Sequence, residues 1–195
     1  MTGDFDTLLA RIRACTLCAA ELPLGPRPVV RGRPSARLLL IGQAPGTRVH
    51  ASGIPWDDPS GERLRDWLQM SPEDFYDESR VAIVPMGFCY PGTDAKGGDK
   101  PPRPECAPEW HPPMLAGLPH VGLTLLIGQY AQKRYLGKAR QKTLTETVRH
   151  WRDYGAETLP LPHPSWRNNA WVKKNPWFAQ ETLPDLRGRV ARLFA

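Results

Sequence analysis

The sequence predicts an α/β fold, a three-layer sandwich with a central four-stranded parallel sheet flanked by helices. Three observations predict it. Four short apolar runs recur along the chain, each of strand length. Segments of helical periodicity fill the intervals between them. The runs are uninterrupted rather than alternating, as strands buried on both faces require. At 195 residues the whole chain, 1–195, reads as a single domain with room for a proper core.

The elements follow in order. Asp4–Arg13 reads as an amphipathic helix with Phe5, Leu8, Leu9 and Ile12 on one face. Arg37–Ile41 is the first strand, and Gly42–Gly46 a tight turn after it. Ser60–Leu68 reads as a helix with Ser60 as its N-cap and Leu64, Trp67 and Leu68 inward. Val81–Met86 is the second strand, and Pro113–Leu118 a short helix. Leu123–Ile127 is the third strand, with a helix from Tyr130 to Leu136. Thr143–His150 is a helix or an insertion. Thr158–Leu161 is the fourth strand; a final helix opens at Asn175 or Pro176, and Leu183–Phe194 is helical.

Composition narrows the function classes. No apolar run approaches the length of a membrane span, so no membrane role is expected. A net charge of +6 favours a polyanionic partner such as nucleic acid, although mildly basic soluble proteins are common. The 22 prolines and 17 glycines cluster in Pro23–Pro34, Pro91–Pro113 and Leu159–Pro164, which marks long loops. Loops of that length in a compact domain are usually functional or disordered.

There are four cysteines. Cys15 and Cys18 form a close C-x-x-C pair; Cys89 and Cys106 flank the second Pro/Gly-rich loop. Such a layout suits one metal centre that ties the N-terminus to the middle of the chain. Thiolates hold a 4Fe-4S cluster or zinc, and the wide second pair is a poor zinc knuckle. The cluster is the expected cofactor and zinc the alternative. Disulfides fit less well, because no secretory leader is read and cytosolic thiols stay reduced. The chain is expected to work as a monomer in the cytoplasm.

Three motifs stand at strand ends, where open parallel sheets bind ligands. In Gly42-Gln43-Ala44-Pro45-Gly46 the glycines let backbone amides approach a carbonyl or an anion, though an ordinary strand-to-helix turn reads the same way. Trp56 follows in Gly53-Ile54-Pro55-Trp56 and could stack on a planar base or simply fill the core. His163 in His163-Pro164-Ser165 could donate to a developing oxyanion. The adjacent Trp166, Arg167 and Asn168, with Asn169, supply a ring to enter a base stack, a cation for phosphate and amides for base edges.

Taken together, Gly42–Gly46, Gly53-x-Pro55-Trp56, Cys89 and His163-Pro164-Ser165 resemble the uracil-DNA glycosylase superfamily, and among its branches the iron–sulfur family-four type. That type carries G-E-x-P-G, G-x-P-F and H-P-S motifs and four cluster cysteines in the order of Cys15, Cys18, Cys89 and Cys106. The resemblance covers nearly the whole chain. It implies a four-stranded parallel sheet, with DNA, damaged or uracil-containing, along the strand ends. It implies that Gly42, Gln43, Ala44, Pro45 and Gly46 hold and polarise the base, that Trp56 stacks on it, and that His163 stabilises its anion. It implies that the loop bearing Ser165, Trp166, Arg167 and Asn168 supports the extrahelical nucleotide. The cluster would be structural and would hold a basic loop carrying Lys96, Lys100 and Arg103.

The departures are chemical. Gln43 stands where the family has Glu. Pro85 stands where an Asn reads the uracil edge, so that amide must come from elsewhere, such as Gln43 or Asn168. Asp57 and Asp58 are the nearest carboxylates able to orient water, and His50 is a further polar candidate. Cleavage of the N-glycosidic bond can survive these losses, because stabilising the leaving anion and positioning it carry most of the barrier reduction. The expectation is a DNA glycosylase for uracil or another deaminated base in base-excision repair. The alternative is a relative that binds DNA or a base with little or no cleavage.

Overall fold

The structure, a computed structural model, describes residues 2–95 and 97–195, so Lys96 lies outside the described residues. Four strands form one parallel sheet: β1 (Leu38–Ile41), β2 (Val81–Ile83), β3 (Leu123–Ile127) and β4 (Thr158–Leu161), in the order β2-β1-β3-β4. Leu38 pairs with Val81 on one side and Leu123 on the other, and Leu125 with Leu159. From β1 the chain runs outward to β2; from β3 it runs the other way to β4. The crevice beyond β1 and β3 is therefore a topological switch point, the natural ligand site of such a sheet.

Residue alternation along the strands separates two cores. Leu38, Leu40, Leu125 and Leu159 face one side, where they meet Leu64, Trp67, Phe178 and Leu186. Leu64 and Trp67 come from α3 (Pro59–Leu68), Phe178 from the π-helical turn Phe178–Thr182 and Leu186 from the C-terminal helix after it, with α4 (Pro72–Tyr76) contributing Phe75. Leu39, Ile41, Ala82 and Leu126 face the other side, against Phe5, Leu9, Ile12, Trp110 and Met114. Those belong to α1 (Thr2–Arg13) and α5 (Cys106–Ala116). Every residue of β1 is buried, which explains a run with no polar alternation. The expected α/β sandwich is the fold found.

The remaining helices are α2 (Thr47–Ser52), α6 (Gln129–Leu136), α7 (Leu144–Arg149), α8 (Asn169–Lys174) and α9 (Leu183–Phe194). Some boundaries correct the sequence reading. Asp58, not Ser60, caps α3: its carboxylate accepts from the Gly61 amide at 2.8 Å, and Pro59 takes the first-turn place where its missing N–H costs nothing. The second strand stops at Ile83, well short of Met86. The short helix expected at 113–118 starts seven residues earlier, at Cys106. Pro112 and Pro113 sit inside it, yet Cys106, Ala107, Trp110, His111 and Met114 bury one continuous face. Packing of that face overrides the lost backbone bonds. Helix α7 forms inside the ambiguous segment 143–150, on a capping box between Thr143 and Glu146. The last helical segment does open at Pro176, passes through a π-helical turn at Phe178–Thr182 and becomes α9. Among the described residues, no helix is long and apolar enough to cross a membrane.

Candidate functional site

A cavity of about 400 Å³ opens over the carboxyl ends of the strands. Its volume lies within the range of small-ligand pockets, roughly 300–1,000 Å³. Gly42 to Gly46 form the wall beyond β1, Pro85 the wall beyond β2, and His163 with Ser165 to Asn168 the wall beyond β4. Pro55 and Trp56 close it from the segment between α2 and α3. The three strand-end motifs thus converge on one space. Of the residues singled out there, Asp57 does not line the cavity; its neighbour Asp58 does, and so does Asp99, which the sequence reading missed.

The first turn is fixed by its carbonyls. Those of Gly42 and Gln43 accept from the amides of Met86 and Gly87, at 3.0 and 2.9 Å. Engaged carbonyls leave the turn's amides as the groups able to meet a ligand. Gly42 is required for a separate reason: a Cβ there would stand 2.9 Å from the Trp56 ring.

Trp56 is held with unusual force for an aromatic residue. Its φ is +59°, in the left-handed region where a bulky side chain costs about 1–3 kcal/mol. Tyr76 and Arg65 both donate to its carbonyl, at 3.2 and 3.4 Å. Gly61 of α3 lies so close that a Cβ would meet the same carbonyl oxygen at 1.8 Å. The strain aims the ring across the cavity, where its centroid stands 5.5 Å from that of His163. The half-buried Trp56 ring does both things the sequence allowed: it packs against the core on the Leu64 side of the sheet and lines the cavity.

His163 leaves β4 and is braced through its backbone, whose carbonyl accepts from the Asn168 side chain at 2.7 Å. Burial pushes its imidazole below the ordinary range, with nearby Asp58 opposing. The ring is therefore neutral near pH 7, able to give an N–H without carrying charge. The same bond uses one N–H of the Asn168 amide, which leaves the second N–H and the oxygen to read a base edge. Trp166 is 71% exposed at the cavity rim, with the Arg167 guanidinium over its ring. Arg63 from α3 ties the loop down by donating to the Ser165 carbonyl at 3.1 Å.

Pro85, where the sequence departs from the family pattern, offers no N–H. Its carbonyl is also taken: buried His111 meets it through Nε2 at 2.9 Å, and the other ring nitrogen meets the Tyr135 hydroxyl. A carbonyl only accepts, so Nε2 carries the proton and Nδ1 accepts from Tyr135. This arrangement makes the β2 wall a rigid apolar surface. His50 does not line the cavity; its ring stands 5.9 Å from that of Tyr90, and its carbonyl accepts from Arg27.

All four cysteines line a second, apolar cavity away from the first, with Pro26, Pro28, Phe88 and Trp110. All four are free thiols. The indole of Trp110 donates to Cys15 Sγ and the Phe88 amide to Cys106 Sγ, both at 3.3 Å. A backbone hydrogen bond from Arg27 reaches Cys89. Burial pushes Cys89 up to about 11 and Cys106 up to about 12, so these thiols hold their protons until something displaces them. Among the described residues, no group of three or more His, Cys, Asp or Glu side chains is arranged to hold a single metal ion. Arg103 pairs with Glu105 at 2.7 Å and Glu21 at 3.5 Å beside the same cavity.

The parallel sheet thus carries at its switch point a cavity walled by a glycine-rich turn, an indole and an imidazole. The chain belongs to the Uracil DNA glycosylase superfamily, whose model matches residues 29–187. That membership gives it a DNA glycosylase-like role. The matched span includes Cys89 and Cys106 and begins after Cys15 and Cys18.

Proposed function

We propose that this protein excises uracil or another deaminated base from DNA by drawing the nucleotide out of the duplex into the strand-end cavity. The observation that carries the reading is the convergence of Gln43, Trp56 and His163 on one cavity rimmed by an exposed Trp166. Trp56 stacks on the extruded ring, and the amides of Gln43 and Ala44 polarise its carbonyl. His163, neutral, donates to the oxygen on which negative charge gathers as the glycosidic bond breaks. Trp166 fills the gap left in the duplex and Arg167 holds a phosphate. With proline in the β2 wall, the base edge is read from Gln43 and from the remaining N–H and oxygen of the Asn168 amide. A site with fewer edge contacts discriminates less, so deaminated purines are admitted alongside uracil.

The family-four assignment and the cluster belong to the same proposal. Cys15, Cys18, Cys89 and Cys106 would hold a 4Fe-4S cluster; their shared apolar cavity and the N–H donors to sulfur suit thiolate ligation. Zinc wants a tight tetrahedral set, whereas a cluster keeps its thiolates further apart. When bound, the group would cross-link the N-terminal segment to the middle of the chain.

Two departures favour a second reading, a DNA-binding relative with little cleavage: Pro85 cannot read an edge, and Asn168 is partly spent on His163. Single-turnover assays on duplex oligonucleotides carrying uracil, hypoxanthine or xanthine separate the two. Release of at least one base, reduced about 100-fold or more in His163→Ala, is the expected result. Tight binding with no release from any of the three would establish the binding reading instead.

A further inference from the structure

A carboxylate is missing from the first turn, where Gln43 stands, yet hydrolysis leaves a developing cation at the sugar and a water to be oriented. Two carboxylates line the cavity, Asp58 and Asp99. Asp58 is engaged in capping α3, one oxygen accepting from Gly61 at 2.8 Å. Asp99 arrives from the stretch between Cys89 and Cys106, and the stretch is built to deliver it. Asp99 pairs with Thr93 in an isolated antiparallel bridge. The Asp94 amide donates to Gly98 at 2.7 Å and the Lys100 amide to Gly92 at 2.9 Å. Gly92 and Gly97 supply the positive φ values, 93° and 73°, that turn the chain back. From the opposite wall Arg167 donates to the Gly97 carbonyl at 2.8 Å, pinning the loop over the opening. An Asp99 oxygen ends 4.0 Å from where a Cβ on Gly46 would lie, at the exit of the first turn.

We propose that Asp99 is the catalytic carboxylate of this site, replacing the missing first-turn acid from a different loop. The inference rests on the excision reading above. The C1′–N bond of the extruded nucleotide breaks and its electron pair leaves with the base, whose oxygen is held by the His163 N–H. Asp99 faces the positive charge at C1′ and orients a water; the water oxygen bonds to C1′ and its proton passes to Asp99, then to solvent. The base anion takes a proton from solvent, so the net change is addition of one water across the bond. Partial desolvation in the cavity raises the Asp99 carboxyl; Arg167 opposes this, and Asp58 and Asp94 add to the rise. A raised carboxyl is a better proton acceptor nearer neutral pH.

The test compares wild type, Asp99→Asn and Asp99→Glu in single-turnover release from a uracil duplex, across pH. Binding to a duplex carrying a non-hydrolysable 2′-fluoro-deoxyuridine is measured alongside. Asp99→Asn is expected to lose about 100-fold or more in release. It should bind the non-hydrolysable duplex within threefold of wild type, and Asp99→Glu should recover part of the rate. Wild-type release should rise with pH through the Asp99 titration, and the rise should be absent in Asp99→Asn. Release by Asp99→Asn within threefold of wild type, or a retained rise with pH, overturns this role alone. A wild-type protein that releases none of the three deaminated bases removes both this role and the excision reading.

Discussion

His111 shows how much a single buried side chain can set. It is 1% exposed, stacked between Phe88 and Tyr135, and it anchors the Pro85 carbonyl that forms one wall of the cavity. Burial lowers its pKa to about 4 from an ordinary 6.5, a backbone bond to Pro85 opposing. The folded protein thus refuses a proton that the unfolded chain accepts. Stability is complete above about pH 6.5 and is lost as pH falls toward 4, by on the order of 3 kcal/mol at about 1.4 kcal/mol per unit. His163, also lowered, contributes in the same direction. Urea unfolding from pH 7 to 4.5 should show this decline, and His111→Gln should be less stable at pH 7 but flatter across the window. An equally steep decline in His111→Gln would refute the assignment. The tautomer matters to function too, since a protonated His111 could no longer accept from Tyr135 and the Pro85 wall would loosen.

At the level of elements, the contact between α3 and the Trp56 segment is the clearest point of dependence. Gly61→Ala would ordinarily gain up to about 1 kcal/mol inside a helix. Here the new methyl would meet the Trp56 carbonyl oxygen at 1.8 Å, and backbone cannot rotate away. Helix and loop must part, which loosens the bonds from Tyr76 and Arg65 and releases the strained ring; overpacking of this kind costs about 1–3 kcal/mol or more. Gly61→Ala should lower the urea midpoint and cut base release, while Gly188→Ala in α9, whose Cβ would meet only the flexible Arg192 guanidinium at 3.3 Å, should do neither to a comparable degree. A Gly61→Ala protein at least as stable as wild type would remove the claim. Elements also mark what could be read in advance. The strands were legible because burial on both faces leaves continuous apolar runs, as in β1 and β3. The three motif loops were legible because glycine and proline punctuate strand ends. Helix α5 was hidden by its prolines, and α2, only Thr47–Ser52, is too short to show periodicity. Asp99 could not be found by pattern: it reaches the cavity only because the chain folds back between Thr93 and Asp99.

For the whole molecule, the question is what joins the N-terminal segment to the strand-end cavity. Helix α1 packs on α5 through Phe5, Leu9 and Ile12, but beyond Arg13 the chain is held chiefly around the cysteine cavity. A route runs from that cavity to the base site. Arg27 bonds Cys89 through its backbone, while its side chain donates to the carbonyls of His50 and Ala51 at the end of α2, at 2.6 and 2.7 Å. Gly53, which leads to Trp56, packs directly on that guanidinium; a Cβ there would stand 2.9 Å from it. Loss of the proposed cluster should therefore be felt in the strand-end cavity as well as in stability. Cross-links that close long loops contribute about 2–4 kcal/mol, which for a chain of this size is roughly 5–15 °C in Tm. The double variant Cys15→Ala/Cys18→Ala should be colourless and iron-free, melt lower by about that amount, and bind a uracil-containing duplex more weakly. It should keep its far-ultraviolet circular dichroism, because the core around Leu40, Leu125 and Phe178 contains none of the four thiols. If freshly purified wild type carries no iron and melts at the same temperature as the double variant, the cysteines hold no cluster and the N-terminal segment is secured by α1 packing alone.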